Sequence, residues 1–459
     1  MMGIAHHKAM TTQTAPSRLL PPDATRQAHI PTGVADYFWR EALDRRELEA
    51  RLLQLFRTWG YEDVIPPMFE YADTYRGRAS EKLQAEMYRF LDRDGSTLAL
   101  RPDMTIPVAR LVGVRLHDWP MPQRFCYAGS VFRYTAPQAG RQREFWQAGV
   151  ELIGAGSPEA DAEVIALTVH AVRAAGIEAF RLVLGQIQYF DGLLQDLHLE
   201  DHQAAALQHA IDRNSAEQLD DFLRSVPLRT QQRHAVEGLP RLSGRDAHAL
   251  LDQAGRLCLN YTMHRALENL RAIYTGLVAF GVADFVHLDL TEIHNLGYYT
   301  GVTFEVITPE LGFPIGSGGR YDHLLATFGP AQPAVGVALG IDRMLAAQEL
   351  QGQTRRVARP VAPDLLVATG GSAEALAVVA AWRAAGLRVA LSLDGAEGDA
   401  LGQAARRHGA RFALSWTGAG FAVLDTAAPE PAAAEFLPAA GYQRIITACR
   451  PAPDPGPVS

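Results

Sequence analysis

Residues 294–306 have the sequence HNLGYYTGVTFEV. The second half, from Val302 to Val306, alternates apolar and polar residues, which predicts a strand with one buried face. The same alternation sends Tyr298 and Tyr299 to opposite faces, so that one ring can pack into the core while the other lines a cavity. On the residues alone, such a pair is more often two core aromatics at the start of a strand.

This stretch resembles the histidine-specific signature of the histidyl-tRNA synthetase family, Arg-Gly-Leu-Asp-Tyr-Tyr-Thr-Gly. His294 stands at the position of the family's Arg, and Gly297 at that of its Asp. In that family the Arg steadies the reacting carboxylate and phosphate during adenylation, which requires a permanently charged guanidinium. A neutral imidazole does not replace it. The resemblance therefore implies a retained amino-acid pocket in which Tyr298 and Tyr299 contact histidine, a lost catalytic position at His294, and no catalytic residue.

A second part of this pocket is indicated by the run LRPDMT, residues 100–105. It resembles the Arg-Pro-Glu-Gly-Thr run whose acid and Thr hold the α-ammonium of histidine in synthetases. If the run is extended, Asp103 and Thr105 have the same parity and face one cavity. The Arg-Pro-Asp-Met-Thr form resembles the synthetase paralogues that serve as regulatory subunits of ATP phosphoribosyltransferase. Taken alone, the run is also compatible with a surface turn that carries a solvated Asp.

The stretch FRYTAPQAGRQREFWQAGVE, residues 132–151, resembles class II synthetase motif 2, a strand–loop–strand unit. Gln147, Gly149 and Glu151 share one face of its second strand. A face with Gln and Glu at alternate positions cannot lie unsatisfied against a dry core, which favours a polar pocket floor. Gln147 and Glu151 match the family's histidine-contacting residues, whereas the residues alone leave a water-facing strand open.

The loop of this motif reads the tRNA acceptor end and helps hold ATP in synthetases. Thr135 and Ala136 replace the family's Glu and Arg there. Four arginines that could keep a vestigial contact with ATP or phosphate remain: Arg133, Arg141, Arg143 and Arg343.

Other stretches resemble the remaining class II motifs. A predicted helix from Asp36 to Trp59, then a strand and Pro66-Pro67, resembles motif 1, which forms the dimer interface. Residues 316–325 resemble the second histidine signature, and residues 335–343 resemble motif 3, which places Arg343 in the first turn of a helix. The glycine-rich run is not a P-loop, because no Gly-Lys-Ser/Thr follows it. The fold class predicted is α/β (α+β), with a class II synthetase-like antiparallel sheet flanked by helices.

The domain organisation follows from composition. Strand–helix alternation after a Pro- and Arg-rich linker predicts a small C-terminal α/β domain, similar to a reduced anticodon-binding domain. The predicted segments are a flexible leader (1–28), a synthetase-like domain (29–352) with a helical insertion (about 199–278), the linker (353–363), the C-terminal domain (364–450) and a tail (451–459).

Composition restricts the function classes further. The chain of 459 residues has a net charge of −8 and only two lysines, so a broad nucleic-acid surface is not expected. No run approaches the ~18 apolar residues of a membrane helix. The three cysteines lack metal-type spacing and suit a reducing cytoplasm. We expect no metal, no cofactor, no nucleic acid and no membrane.

The resemblance implies a non-catalytic regulatory subunit of ATP phosphoribosyltransferase in the cytoplasm. The expected partners are a short-form catalytic subunit in a hetero-octamer, a second copy through the motif 1 region, and L-histidine as allosteric ligand. Two places for histidine binding remain open: the synthetase-like pocket and the subunit interface. Two alternatives remain: a working histidyl-tRNA synthetase, which needs an Arg at position 294, and a synthetase-like sensor or kinase-regulating module with another partner.

Overall fold

The structure is a computed structural model. It describes residues 30–135, 142–213, 215–291, 298–352, 362–428, 435–441 and 443–449. The chain divides into two compact units, Met1–Arg356 and Val357–Ser459. Several predictions fall outside the described residues, namely the leader, most of the linker, the tail, His294, Gly297, Ala136 and Arg141.

The strands of the first unit form two sheets. In chain order they are β1 (Glu62–Asp63), β2 (Phe69–Tyr71), β3 (Arg89–Leu91), β4 (Thr97–Leu100), β5 (Gln123–Phe132), β6 (Glu144–Ile153), β7 (Arg181–Gln186), β8 (Ser243–Gly244), β9 (Val286–Asp289), β10 (Val302–Ile307), β11 (Gly316–Arg320) and β12 (Ala334–Gly340). In the described part of the chain, nine of them form a sheet in the order β1-β5-β6-β12-β11-β10-β7-β9-β8. Its pairs are antiparallel except β1–β5 and β7–β9. The three others form a small antiparallel sheet, β2-β4-β3.

The helices of the first unit are α1 (Trp39–Thr58), α2 (Glu81–Ala85), α3 (Thr105–Leu111), α4 (Pro158–Ala174), α5 (Ile187–Leu197), α6 (Asp201–Asp212), α7 (Ala216–Ser225), α8 (Thr230–Gly238), α9 (Ala247–Arg256), α10 (Tyr261–Ala279) and α11 (Ile341–Leu350). Helix α1 buries Leu48, Leu52 and Phe56 at four-residue steps, so its apolar stripe faces the core. Helix α4 begins at Pro158, whose fixed φ suits the first helical position. The predicted architecture, a largely antiparallel sheet flanked by helices, is confirmed.

One face of the large sheet is the main apolar core. Val302, Phe304 and Val306 of β10 are fully buried there, as their alternation predicts. Side chains of α1 and α4 belong to the same apolar cluster. The opposite face of β6, β10 and β12 is therefore available for the polar residues of the site.

In the described residues of the second unit, five strands form one sheet in the order β14-β13-β15-β16-β17. Its strands are β13 (Leu365–Ala368), β14 (Val389–Leu391), β15 (Phe412–Trp416), β16 (Gly420–Asp425) and β17 (Glu435–Pro438), and its helices are α12 (Ala373–Ala384), α13 (Gly398–His408) and α14 (Gln443–Cys449). Strand β13 pairs in parallel with β14 and β15, and β16 and β17 continue the sheet antiparallel. Trp382 and Phe421 are fully buried at the centre of this unit.

Candidate ligand-binding site

The floor of the candidate site is the polar face of the large sheet. Gln147, Gly149 and Glu151 alternate along β6, and the neighbouring strand β12 places Gly336 beside Glu151 and Gly340 beside Gln147. A Cβ atom at Gly336 would overlap the Glu151 carboxylate. The absence of that side chain is what allows the carboxylate to lie across β12.

Glu151 is fully buried and is fixed by hydroxyl groups. Its Oε1 accepts hydrogen bonds from Thr105 Oγ1 (2.8 Å) and Tyr127 Oη (3.2 Å), and its Oε2 accepts one from Tyr321 Oη. Burial raises the pKa of Glu151 to about 7, although the three hydrogen bonds oppose that rise. The floor therefore carries a carboxylate that changes charge near neutral pH.

Asp103 is the second buried carboxylate of the site. Its Oδ1 accepts a hydrogen bond from the Ile106 amide (3.2 Å), while Oδ2 is buried and has no hydrogen-bond partner among the residues that the structure describes. Burial raises the pKa of Asp103 to about 6, against the opposing charge of Arg133. A buried carboxylate oxygen without a donor is the group that a ligand ammonium would satisfy.

The prediction that Asp103 and Thr105 lie in an extended run is wrong. Thr105 is the first residue of α3, and Met104 before it already has φ −103° and ψ −23°. The Asp103 carboxylate binds an amide in the first turn of this helix, where backbone N–H groups lack helical partners. Both residues nevertheless reach the site, because Thr105 binds Glu151 directly and the charge of Asp103 raises the pKa of Glu151.

The prediction that Tyr298 and Tyr299 point to opposite faces is also wrong. Strand β10 begins only at Val302, so the two-residue alternation does not extend back to the tyrosines. Their ring centroids lie 5.1 Å apart in an edge-to-face arrangement, and the Tyr298 ring lies 5.9 Å from that of Tyr321. Both tyrosines pack against one apolar cluster. They form an aromatic wall on the same side as the carboxylates, whose charges raise the pKa values of both phenols beyond the effect of burial.

Gln147 supplies a further polar atom. Its side chain is half-buried, and its Oε1 is buried with no hydrogen-bond partner in the described ranges. Thr303 Oγ1 on β10 is likewise buried and has no hydrogen-bond partner in the described ranges. Thr303 belongs to the same sheet face, because it pairs with Gly319 and Gly319 pairs with Gly336. The site thus offers acceptors suited to a ligand that carries several N–H groups.

Arg133 places a positive charge close to the carboxylates and tyrosines of the site. Its Nε donates to the Pro102 carbonyl (2.8 Å), and its guanidinium lies 5.4 Å from the centre of the Phe145 ring. Its charge lowers the pKa values of Asp103 and Tyr299 against the effect of burial. A fixed guanidinium beside the carboxylates is suited to a ligand's own carboxylate.

The other predicted arginines contact neighbouring groups of the protein. The Arg143 guanidinium lies 4.5 Å from the centre of the Tyr134 ring. Arg343 lies in the first turn of α11, as predicted, and donates from Nη1 to the Pro314 carbonyl (2.6 Å). The vestigial phosphate contact assigned to these residues stays a prediction.

Two residues of the site were not assigned from the sequence. Tyr321 follows the glycine-rich strand β11 and has the same parity as Gly319, a signal that could have placed it on the polar face. Tyr127 is opposite Gly149, but this pairing depends on the register of β5 and β6. No local pattern specifies that register.

The described residues contain no cluster of three or more His, Cys, Asp or Glu side chains arranged for a metal ion. They also contain no helix that is long and apolar enough to cross a membrane.

Comparisons with known proteins agree with the class II motifs. A family model for histidyl-tRNA synthetase matches residues 33–344. A protein of Moorella thermoacetica named ATP phosphoribosyltransferase regulatory subunit is 41% identical over 392 residues, which cover 85% of this chain and 98% of that protein. A protein of Symbiobacterium thermophilum with the same name is 40% identical over 391 residues, covering 84% of this chain and 96% of its own length.

Solved structures give the same result for the fold. A structure from Bacillus halodurans, described as an ATP phosphoribosyltransferase regulatory subunit/histidyl-tRNA synthetase, superposes with a TM-score of 0.72 at 30% identity, covering 82% of this chain and 96% of that one. Histidyl-tRNA synthetase from Nostoc sp. PCC 7120 superposes with a TM-score of 0.74 at 21% identity, covering 92% of this chain and 99% of that one. The second likeness concerns the fold alone, and it confirms the predicted class II architecture.

Proposed function

Because the chain belongs to the family of ATP phosphoribosyltransferase regulatory subunits, we propose that it regulates ATP phosphoribosyltransferase in histidine biosynthesis as a non-catalytic subunit. We propose further that L-histidine is its ligand and binds in the pocket between β6, β12 and the tyrosine wall. The observation that carries the ligand assignment is the pair of buried carboxylates, Asp103 and Glu151, in which Asp103 Oδ2 has no partner among the described residues.

The chemistry of histidine matches these groups one by one. Its α-ammonium satisfies Asp103 Oδ2, and charge-assisted hydrogen bonds of this kind contribute about 1.5–3 kcal/mol each. Its imidazole N–H is a donor for Gln147 Oε1 or for Glu151, and Arg133 is the cation for its carboxylate. The rings of Tyr298 and Tyr299 enclose the imidazole and exclude water.

The absence of catalysis rests on the sequence. Adenylation requires a fixed positive charge at the reacting phosphate, and His294 stands where the synthetases carry an Arg. A pocket that binds a ligand without catalysing a reaction can still regulate the activity of a complex. If histidine binds one quaternary state of the complex better than another, it shifts activity by that difference in affinity.

The partner in this proposal is a short-form catalytic subunit, which together with this chain completes a hetero-octamer. The chain also pairs with a second copy through the motif 1 region. There, Ile65 is 92% exposed directly before Pro66, and the exposed ring of Phe69 on β2 contacts that of Phe90 on β3 at 6.1 Å between ring centres. Large apolar side chains that are exposed close together often mark a surface that contacts another protein.

Light scattering on the purified chain tests the self-association. We expect the mass of a dimer, and a shift to the monomer mass in the variant Ile65→Glu. The matched control is Leu393→Glu, because Leu393 is 88% exposed in the second unit. An unchanged mass in Ile65→Glu, or the same shift in Leu393→Glu, contradicts this interface.

The ligand and the lack of chemistry are tested together on one sample. We expect calorimetry to show L-histidine binding to the purified chain, without any histidine-dependent exchange of pyrophosphate into ATP. The variant Asp103→Asn should weaken binding about tenfold or more, since it removes the charge that faces the ammonium. The control Asp118→Asn, at an exposed carboxylate, should leave binding unchanged.

Each result that contradicts the proposal would have a different meaning. Exchange at a synthetase-like rate would identify a working synthetase and overturn the regulatory assignment. Binding that Asp103→Asn leaves intact would move histidine to another site. Adding the catalytic subunit to the same sample then shows whether phosphoribosyl transfer depends on this chain and is inhibited by histidine.

A further inference from the structure

A cavity of about 920 Å³ opens in the first unit, beside the small sheet. It is lined by residues of β2, β4 and α3, by the turn after β2, and by Phe328. None of its lining residues belongs to the histidine pocket described above, and the proposed function does not use it. Four arginines line it: Arg76, Arg78, Arg89 and Arg110.

The charges of this cavity do not balance. Arg76 pairs with Asp73 and Arg110 pairs with Glu70, each at 2.7 Å. Arg78 and Arg89 have no carboxylate partner in the part of the chain that the structure describes, and the protein groups that accept their hydrogen bonds are backbone carbonyls. A carbonyl accepts a hydrogen bond but does not neutralise a guanidinium, so two positive charges remain at the cavity wall.

Arg78 is held in one orientation. Its Nη1 donates to the carbonyls of Asp73 (3.0 Å) and Thr74 (3.1 Å), and its Nη2 donates to that of Thr327 (3.1 Å). Its guanidinium lies over the Phe328 ring at 4.4 Å from the ring centre. Because the guanidinium is already ordered, binding an anion there loses little side-chain entropy.

Several other side chains that line the cavity are hydrogen-bond donors suited to the same anion. Thr74, Ser96 and Thr97 supply hydroxyl groups, and the Arg89 guanidinium, fixed by the Gln84 carbonyl (3.0 Å), supplies a second cationic fork. Planar guanidinium groups with neighbouring hydroxyls are the usual protein ligands of phosphate oxygens. The volume lies in the range of small-molecule sites, about 300–1,000 Å³.

We propose that this cavity binds the phosphoryl group of a small anionic ligand, which makes it a second ligand site of the regulatory subunit. The site does not depend on the histidine assignment. Inorganic phosphate, inorganic pyrophosphate and a nucleoside triphosphate share the chemistry that the cavity recognises, and they differ in charge and in length.

The test is a calorimetric titration of the full chain with phosphate, pyrophosphate and ATP in separate arms, at constant ionic strength. We expect binding of pyrophosphate, and the arm with the highest affinity identifies the class of ligand. The variant Arg89→Glu should weaken that affinity about tenfold or more, because it inverts one of the two unbalanced charges. The matched control is Arg93→Glu, an exposed arginine in the turn between β3 and β4 that does not line the cavity.

A second variant, Arg78→Lys, keeps the charge and removes the planar fork. It should also weaken binding, with a smaller loss than Arg89→Glu. Histidine titration of each variant shows that the chain is folded and that the other pocket is intact. No binding in any arm at about 1 mM ligand, or equal losses in Arg89→Glu and Arg93→Glu, would overturn the proposal while leaving the histidine assignment untouched.

Discussion

Histidine binding is expected to depend on pH through the two buried carboxylates. Burial raises the pKa of Asp103 to about 6 and that of Glu151 to about 7. If the ligand requires both groups ionised and they titrate independently, the competent fraction is about 0.9 near pH 8 and about 0.05 near pH 6. The apparent affinity should therefore fall about 20-fold over this interval.

The perturbation is Glu151→Gln. The hydroxyl groups of Thr105, Tyr127 and Tyr321 both donate and accept, so they can rotate to serve an amide in place of the carboxylate. Affinity near pH 8 should fall about tenfold or more through the lost charge. The remaining pH dependence should shrink to about twofold, the share of Asp103.

The stability of the same variant gives an independent measurement. Because the pKa of Glu151 is higher in the folded chain than its ordinary value of 4.5, the folded state binds the proton more tightly than the unfolded state. Wild-type stability is therefore lost as pH rises from about 4.5 through about 7. Glu151→Gln removes that loss, and its free energy of unfolding near pH 8 should exceed the wild-type value by up to about 3 kcal/mol in urea titrations.

The assay is calorimetry at a series of pH values for the wild type, Glu151→Gln and Asp118→Asn, the last at an exposed carboxylate. The double variant Asp103→Asn/Glu151→Gln reports the titration of histidine itself, which is subtracted. A wild-type affinity that is flat across the interval, or a Glu151→Gln variant with undiminished pH dependence, refutes the assignment of these carboxylates to ligand binding.

Three further outcomes follow from the contacts. Thr105→Val removes a hydrogen bond that lowers the pKa of Glu151, so the midpoint of the pH dependence of histidine binding should move to higher pH, measured by the same calorimetry. Arg320→Met leaves the fully buried Asp161 without its partner and should cost about 3–5 kcal/mol in urea unfolding, most of which Asp161→Asn in the same chain restores. Trp382→Ala creates a cavity in the second unit and should cost about 3–5 kcal/mol of that unit's stability, whereas histidine binding by the first unit should persist in calorimetry.

The parts of the fold that the sequence predicts are those with strong local periodicity. Strand β10 and helix α1 lie within three residues of their predicted positions, because their apolar spacing is unambiguous. The Asp94-Gly95 pair is a local signal of the same kind for the turn between β3 and β4, where Gly95 has a φ of +87° that favours glycine. Strands β16 and β17 of the second unit were not predicted.

The errors at the site have local causes. Placing residues on one face or the other by odd and even positions assumes an extended backbone. Helix α3 begins at Thr105 and the tyrosine pair precedes β10, so neither pair follows the alternation of a strand. Pro107 was an unused signal for the first case, because a proline is tolerated in the first turn of a helix, where its missing N–H has no partner to lose. The hydroxyl bonds of Tyr127 and Tyr321 to Glu151 depend on sheet register and could not be derived from local patterns.

The glycine at position 336 also bears on engineered histidine production. A Cβ atom at this position would overlap the Glu151 carboxylate and would also lie only 2.7 Å from the Val150 carbonyl oxygen, so a single added methyl group must displace both. If histidine binds there as proposed, Gly336→Ala is a route to a subunit that no longer senses it, and the change lies on a central strand, away from the exposed side chain of Ile65. On that proposal, a strain that carries a folded form of this variant would keep making histidine after the amino acid accumulates.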